Sequence, residues 1–215
     1  MIKFGYVRMV AVLMAMMALP LGCAHKPEQE LPAQDLFREA QSLASKGKVD
    51  KAAEAFMKVR TYYPGDDLAK ESLLALGDLY FEHKDYQSAL GSYQEFRLLY
   101  PTDPKASYAL FRIALCHSKQ LLTFDRDQTE TINAIRSFEN FLKLYPDSPY
   151  ELEAREKLRD ARTLLARNWL HIGKFYLKKK DKKAACKRFQ DTRDNFPDLG
   201  FDKELDRLIA EACAP

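Results

Sequence analysis

Histidine and cysteine are the residue types in this sequence that could bind a metal or act as nucleophiles. The chain has four of each, and the histidines are scattered at His25, His83, His117 and His171. None forms the H-E-x-x-H pair of a zinc hydrolase, and neither a G-x-S-x-G motif nor a phosphate-binding glycine loop occurs. We therefore expect no catalytic centre, no cofactor and no metal site, and we do not expect an enzyme.

Three of the cysteines lie in the body of the chain, at Cys116, Cys186 and Cys213. Their number is odd, no C-x-x-C occurs, and no histidine lies at metal-ligand spacing from them. An oxidising compartment would permit one disulfide, for which Cys186 and Cys213 are a conceivable pair. We expect buried single thiols instead, because free cysteine packs as a small apolar residue.

The N-terminal segment has the form of a secretion signal. Residues 1–8 contain Lys3 and Arg8 and no acid, and residues 9–21 are apolar. Such a run is shorter than the ~20 residues of a membrane-spanning helix, so residues 1–22 are predicted to be a signal peptide. Its end, Gly22-Cys23, resembles the processing site of bacterial lipoproteins, in which the cysteine is acylated.

Lipidation of Cys23 is the prediction, and a secreted protein with an incidental Cys23 is the alternative. Residues 23–34 then form a lipidated, flexible tether. By resemblance to enterobacterial lipoproteins, Ala24 in place of Asp favours the outer membrane. The protein is thus expected to be anchored there by its lipid, facing the periplasm of a Gram-negative bacterium.

The charge balance excludes one class of partner. The chain has 34 Lys and Arg residues against 31 Asp and Glu residues, a formal charge of +3. Binding to nucleic acid needs a clear basic excess, so no nucleic-acid partner is expected.

Four aromatic-proline pairs punctuate the sequence: Tyr63-Pro64, Tyr100-Pro101, Tyr145-Pro146 and Phe196-Pro197. Before each pair, apolar residues recur at intervals of three or four, which places them on one helix face. Small residues, aromatics and prolines recur as in the tetratricopeptide pattern of about 34 residues. We predict an all-α tetratricopeptide-repeat superhelix of about four helix pairs plus a capping helix.

The spacing of these prolines locates the irregular parts. The intervals are 37, 45 and 51 residues, against about 34 for a standard repeat. The excess predicts a longer loop around residues 121–126 and one long helix from about residue 149 to 179. Residues 202–213 are predicted to cap the array. Repeats 1–3, over residues 35–147, would carry a substrate groove, and residues 148–215 would dock a partner.

The first helix of each pair should line the concave face of such an array. Its inward positions hold a second apolar stripe, which we expect to be partly exposed because other residues already account for the core. The stripe comprises Phe37, Leu74, Phe81, Tyr108 and Phe111. An exposed aromatic groove marks an interaction site.

Several segments together resemble the BamD family of outer-membrane lipoproteins. They are the lipid cysteine, the helical repeats, Asp125-Arg-Asp-Gln-Thr129, Tyr145-Pro-Asp-Ser-Pro-Tyr150 and Ala184-Ala185-Cys-Lys-Arg188. The resemblance implies a scaffold of the β-barrel assembly machinery that docks on the periplasmic domains of the barrel-inserting protein, with or without other assembly lipoproteins. It also implies that the scaffold helps to recognise unfolded outer-membrane protein precursors, whose aromatic-ended terminal strand the groove would accept.

Two site residues follow from this resemblance. Arg188 matches the family arginine that docks on the barrel-inserting partner, and its alternative is a plain exposed helix arginine. Tyr63 matches a tyrosine implicated in precursor recognition, and its alternative is packing, because Tyr100 and Tyr145 hold the same repeat position. The family commonly has five repeats, so contacts of a fifth repeat are not carried over. The alternative function is that of another periplasmic tetratricopeptide lipoprotein, such as a pilus-secretin pilotin.

Overall fold

The computed structural model describes residues 31–214, and every regular element in that range is an α-helix. The second helix of each pair ends two residues before one of the four marker prolines, because proline cannot continue a helix. The nine helices of the described range are α1 (Ala33–Ser45), α2 (Val49–Tyr62), α3 (Asp67–Glu82), α4 (Tyr86–Leu99), α5 (Ala106–Ser118), α6 (Thr129–Leu144), α7 (Glu151–Lys178), α8 (Lys182–Asn195) and α9 (Asp202–Ala212).

Each helix packs against its predecessor and its successor in the chain. The elements therefore stack as four pairs, α1/α2, α3/α4, α5/α6 and α7/α8, followed by α9. The prediction of an all-α tetratricopeptide-repeat fold with four pairs and a terminal helix is confirmed.

In two of the pairs, the helices approach closely where a glycine of the first helix lies against an aromatic ring of the second. Gly77 of α3 lies against Tyr93 of α4, and Gly173 of α7 lies against Phe189 of α8. A Cβ atom at Gly173 would stand only 2.3 Å from Phe189 Cε1. The small residue of the repeat pattern is thus required by the close approach of the two helices.

Helix α7 has 28 residues and belongs to two parts of the core. Ala154 and Ala161 in its first half join the cluster formed with α3–α6. Leu170 in its second half joins a separate cluster that includes Phe189 and Leu205. The predicted long helix is confirmed, with its start at Glu151 rather than at residue 149.

The predicted long loop lies between α5 and α6, at residues 119–128. It is fastened to the second half of α7. Asn168 Nδ2 donates a hydrogen bond of 2.7 Å to the carbonyl oxygen of Phe124, and the Phe124 ring meets the His171 ring edge-on at 5.4 Å. The insertion therefore packs on α7 instead of projecting away from the helices.

The predicted signal peptide (residues 1–22) and the lipidation of Cys23 lie outside the described residues and stay predictions. The tether prediction, residues 23–34, extends too far, because α1 begins at Ala33, which is already buried. Over residues 31–214, no helix is long and apolar enough to cross a membrane.

The expectation of single thiols is wrong for two of the three body cysteines. Cys186 of α8 and Cys213, which follows α9, form a disulfide with their Cα atoms 5.1 Å apart. This separation suits a disulfide, and it arises because α9 packs back on α8. For Cys116 the expectation is confirmed: the thiol is free and buried, and burial raises its pKa to about 12.

Candidate interaction surfaces

A cleft of about 360 Å³ lies on the face formed by α1, α3 and α5, the first helices of the first three pairs. Apolar and aromatic side chains stand beside acidic, basic and amide groups in its walls. The lining residues are Phe37, Gln41, Glu71, Leu74, Ala75, Asp78, Lys105, Tyr108 and Tyr150. We refer to this site as the cleft.

Three of the predicted groove residues line the cleft. Phe37 and Tyr108 are half-buried in its walls. Leu74 also lines it, although only 5% of this residue is exposed. The expected exposure is therefore wrong for Leu74, because packing between α3 and its neighbours buries most of the side chain.

Phe81 and Phe111 are not part of the cleft, so the predicted continuous stripe is wrong. Phe111 is 3% exposed, because the Tyr150 ring stacks on it with centroids 4.8 Å apart. Phe81 is half-buried, and the guanidinium of Arg112 lies over its ring, with Cζ 3.8 Å from the centroid. In both cases a residue from a later element covers the aromatic ring.

The Asp78 carboxylate joins three helices at the cleft. Its Oδ1 accepts hydrogen bonds from the hydroxyls of Tyr93, at 2.5 Å, and Tyr108. Arg112 Nη2 lies 3.3 Å from the same oxygen, and Arg112 Nε donates to Tyr93 Oη at 2.9 Å. Burial, together with the bond to Asp78, raises the pKa of both phenols. Both tyrosines are therefore neutral donors at physiological pH, and this network rigidifies one wall of the cleft.

Four residues of the cleft were not predicted from the sequence: Glu71, Ala75, Lys105 and Tyr150. Lys105 Nζ lies 2.5 Å from Glu71 Oε2, which links α3 to the turn before α5. Helical periodicity gives no information about Lys105 and Tyr150, because both lie in turns between repeats. Glu71 does hold an inward repeat position, so its spacing was the available signal.

Tyr63 lies at the C-terminal end of α2 and does not line the cleft. Its side chain is half-buried. At the same repeat position, Tyr100 packs on Phe96 with centroids 5.4 Å apart, and Tyr145 packs on Phe141 at 6.0 Å. Tyr63 thus shares a position whose other aromatic members are packing residues.

Arg188 lies on α8, where its guanidinium lies over the ring of Trp169. Arg188 Cζ is 5.2 Å from the ring centroid of Trp169, and Trp169 meets Phe196 edge-on at 5.3 Å. The residue is half-buried, and over residues 31–214 it forms no ion pair. Stacking of this kind holds a guanidinium in place while leaving its N–H groups available.

These features form surfaces that can bind other molecules. Asp78 Oδ1 already accepts hydrogen bonds from two hydroxyls and lies near Arg112. In the described part of the chain, no group of three or more His, Cys, Asp or Glu residues could hold a metal ion. The paired helices, the glycine–aromatic contacts and the cleft on the first helices define a tetratricopeptide-repeat solenoid.

Within the class of tetratricopeptide-repeat proteins, the chain matches one particular family. The model of the YfiO family, described as an outer membrane lipoprotein, matches residues 29–212. The chain belongs to this family. The resemblance to BamD that the sequence motifs indicated is thereby confirmed, as the relatives carry that name.

Two curated relatives are named outer membrane protein assembly factor BamD. The protein of Caulobacter vibrioides is 30% identical, over 86% of this chain and 62% of the relative. That of Rickettsia prowazekii is 30% identical, over 81% of this chain and 71% of the relative. The chain therefore spans less than two thirds of the Caulobacter protein.

Solved structures are similar in fold alone. The MamA protein superposes with a TM-score of 0.43 at 19% identity, over 84% of this chain and 86% of that one. A thermophilic TPR protein of Thermus thermophilus gives a TM-score of 0.41 at 17% identity, over 85% and 99% of the two chains.

Proposed function

We propose that this protein is an outer-membrane lipoprotein scaffold of the β-barrel assembly machinery, anchored through Cys23 and facing the periplasm. The family match over residues 29–212 carries the proposal, since relatives in this family are named outer membrane protein assembly factors. The scaffold would bind the barrel-inserting protein, other assembly lipoproteins and unfolded precursors. No observation favours the pilotin alternative.

The cleft is proposed to receive a short extended segment of an unfolded precursor, with one aromatic or aliphatic side chain inserted. Phe37 and Leu74 supply apolar contact, and burial of such a side chain contributes about 1.5–3 kcal/mol. Gln41 and Asp78 stand beside them, and such groups can orient a main chain. The volume of about 360 Å³ lies at the lower end of ligand sites, which run from ~300 to ~1,000 Å³, and suits a segment of a few residues.

Arg188 is proposed to dock on an acidic group of the barrel-inserting protein. Its stacking on Trp169 fixes its position before binding, which lowers the entropy lost on association. Its charge is not neutralised by an ion pair within the described residues, so it is available to a partner.

Replacing Arg188 by glutamate is expected to remove most of the barrel-inserting protein captured by the tagged chain. Reversing an interfacial charge leaves its partner unpaired and costs about 2–5 kcal/mol, which corresponds to a roughly 30-fold or larger loss of affinity. The measurement is affinity capture from solubilised membranes followed by mass spectrometry.

Arg193→Glu is the matched control, because Arg193 is an exposed arginine on the same helix. Failure of the unaltered chain to capture the barrel-inserting protein would defeat the proposed function. Equal capture by the Arg188→Glu and Arg193→Glu variants would instead show that Arg188 has no docking role.

Filling the cleft is expected to weaken peptide binding without disturbing the core. Gln41 is exposed and lines the cleft, so Gln41→Trp would occupy the space proposed for the precursor side chain. We expect at least about tenfold weaker binding, or ~1.4 kcal/mol, of a dye-labelled peptide ending in Phe, measured by fluorescence anisotropy.

Ser42→Trp provides the control for this experiment. Ser42 is the next residue of α1, is also exposed and lies outside the cleft lining, so the added indole should leave binding unchanged. Equal binding by both tryptophan variants would contradict the assignment of the cleft as the precursor site.

A further inference from the structure

The turn between α7 and α8 carries more positive charge than is needed to form a turn of this conformation. Residues 178–183 contain five lysines and Asp181, a net charge of +4, and all six are exposed. None of the five lysines forms an ion pair among the described residues; the neighbouring pairs are made by Lys174 and Lys187. We call residues 178–183 the basic turn.

The corresponding turn of the second pair shows what the backbone itself needs. Lys84 there and Lys180 in the basic turn both have positive φ, 64° and 63°. Asp85 and Asp181 both accept a hydrogen bond from the backbone N–H three residues ahead. The two turns therefore have the same conformation and the same cap.

The charges of the two turns nevertheless differ. Residues 82–87 contain Lys84 against Glu82 and Asp85, a net charge of −1, compared with +4 in the basic turn. The same backbone geometry is thus made without the extra lysines. Those lysines place like charges side by side on the surface, where an anionic ligand would be attracted to them.

Apolar surface adjoins the basic turn on two sides. A cavity of about 810 Å³ is lined by Lys182 and Lys183 and by the disulfide of Cys186 and Cys213. In addition, Phe175 is 52% exposed, with Lys179 Nζ 5.7 Å from the centroid of its ring. At the equivalent place in the second pair, Leu79 is 5% exposed.

We propose that the basic turn and its adjoining cavity bind the surface of an anionic phospholipid bilayer. The cationic groups are all lysines, which are mobile point charges suited to the shifting phosphates of headgroups, whereas a fixed carboxylate partner favours the planar fork of arginine. Phe175 and the apolar cavity wall would contact the glycerol and upper acyl region. The proposal does not depend on acylation of Cys23 or on the proposed assembly role.

The test uses the chain from residue 23 onward with Cys23→Ser, so that no acyl group contributes. The protein is sedimented with vesicles of equal parts phosphatidylglycerol and phosphatidylcholine, and with vesicles of phosphatidylcholine alone. Binding to the anionic vesicles is expected to exceed binding to the neutral ones and to fall as salt is raised.

The triple change Lys178→Gln, Lys182→Gln and Lys183→Gln is expected to weaken this binding at least about tenfold, since each lysine near an anionic surface contributes roughly fivefold. It leaves Lys179 against Phe175 and Lys180 at its positive φ. The control changes three exposed lysines on other elements, Lys51, Lys119 and Lys143, to Gln.

Equal weakening by both triple variants, or equal binding of the parent to neutral vesicles, would overturn the proposal. So would binding of the parent to soluble polyglutamate but not to the anionic vesicles, because that result would identify an acidic polypeptide as the ligand. Thermal unfolding of each variant confirms that the altered chains remain folded.

Discussion

Replacing Gly173 by alanine is expected to lower the free energy of unfolding by about 2 kcal/mol, although alanine favours a helix by ~1 kcal/mol over glycine. The added Cβ would lie 2.3 Å from Phe189 Cε1 and 2.7 Å from Cδ1. The Phe189 ring is fully buried, so it can relieve the clash only by moving α8 away from α7. Overpacking of this kind costs about 1–3 kcal/mol, and this contact belongs at the upper end.

Gly91→Ala is the matched control, since Gly91 lies within α4 and, apart from its chain neighbours and its own helix backbone, no atom would stand within 4 Å of its added Cβ. This change is expected to stabilise the protein by up to ~1 kcal/mol through helix propensity alone. Urea unfolding followed by circular dichroism measures both variants. If Gly173→Ala unfolds at the same urea concentration as Gly91→Ala or at a higher one, the approach of α8 to α7 does not require glycine at residue 173.

The architecture could be predicted from sequence because its determinants are local and repeated. The aromatic-proline pairs end helices by a steric rule that acts within a few residues. The glycine and aromatic positions of the repeat predict a close contact between two helices, which is found at Gly77 and Tyr93 and again at Gly173 and Phe189. Periodicity also predicted α7 as one continuous helix, since no proline or glycine precedes Gly173 within it.

The cleft was less predictable because its exposure depends on residues from different repeats. The spacing of Phe111 correctly predicted the helix face on which it lies. Its ring is nevertheless covered, because Tyr150 from a later turn stacks on it. In the same way, Arg112 of α5 reaches over Phe81 of α3. A pattern within one helix predicts which face a residue occupies, whereas coverage by another element depends on how the repeats stack.

The disulfide could not be assigned from spacing for a related reason. Cys186 and Cys213 are 27 residues apart, and the body of the chain contains an odd number of cysteines. The pairing becomes evident only when α9 is seen to pack back on α8, which places Cys213 beside the first half of that helix.

Replacing Cys186 and Cys213 together by serine is expected to lower the free energy of unfolding by roughly 3.5 kcal/mol. The cross-link lowers the entropy of the unfolded chain, and for a loop of 27 residues this loss corresponds to about that free energy. The disulfide links α9 to α8. Leu205, Leu208 and Ala212 of α9 belong to the core cluster at the C-terminal end of the array. The experiment compares urea unfolding of the oxidised parent with that of the double-serine variant.

Reduction supplies an independent check on the same bond. A thiol reductant should shift the parent toward the stability of the double-serine variant and should leave that variant unchanged, because Cys116 forms no disulfide. A parent that is insensitive to reductant would contradict a stabilising cross-link. A serine variant that loses stability on reduction would show that the reductant acts at a site other than this disulfide.

Protease digestion tests the same bond in a second way. Because α9 packs on the end of the α7/α8 pair, a reduced chain should be cleaved first in residues 196–201, the segment that joins α8 to α9.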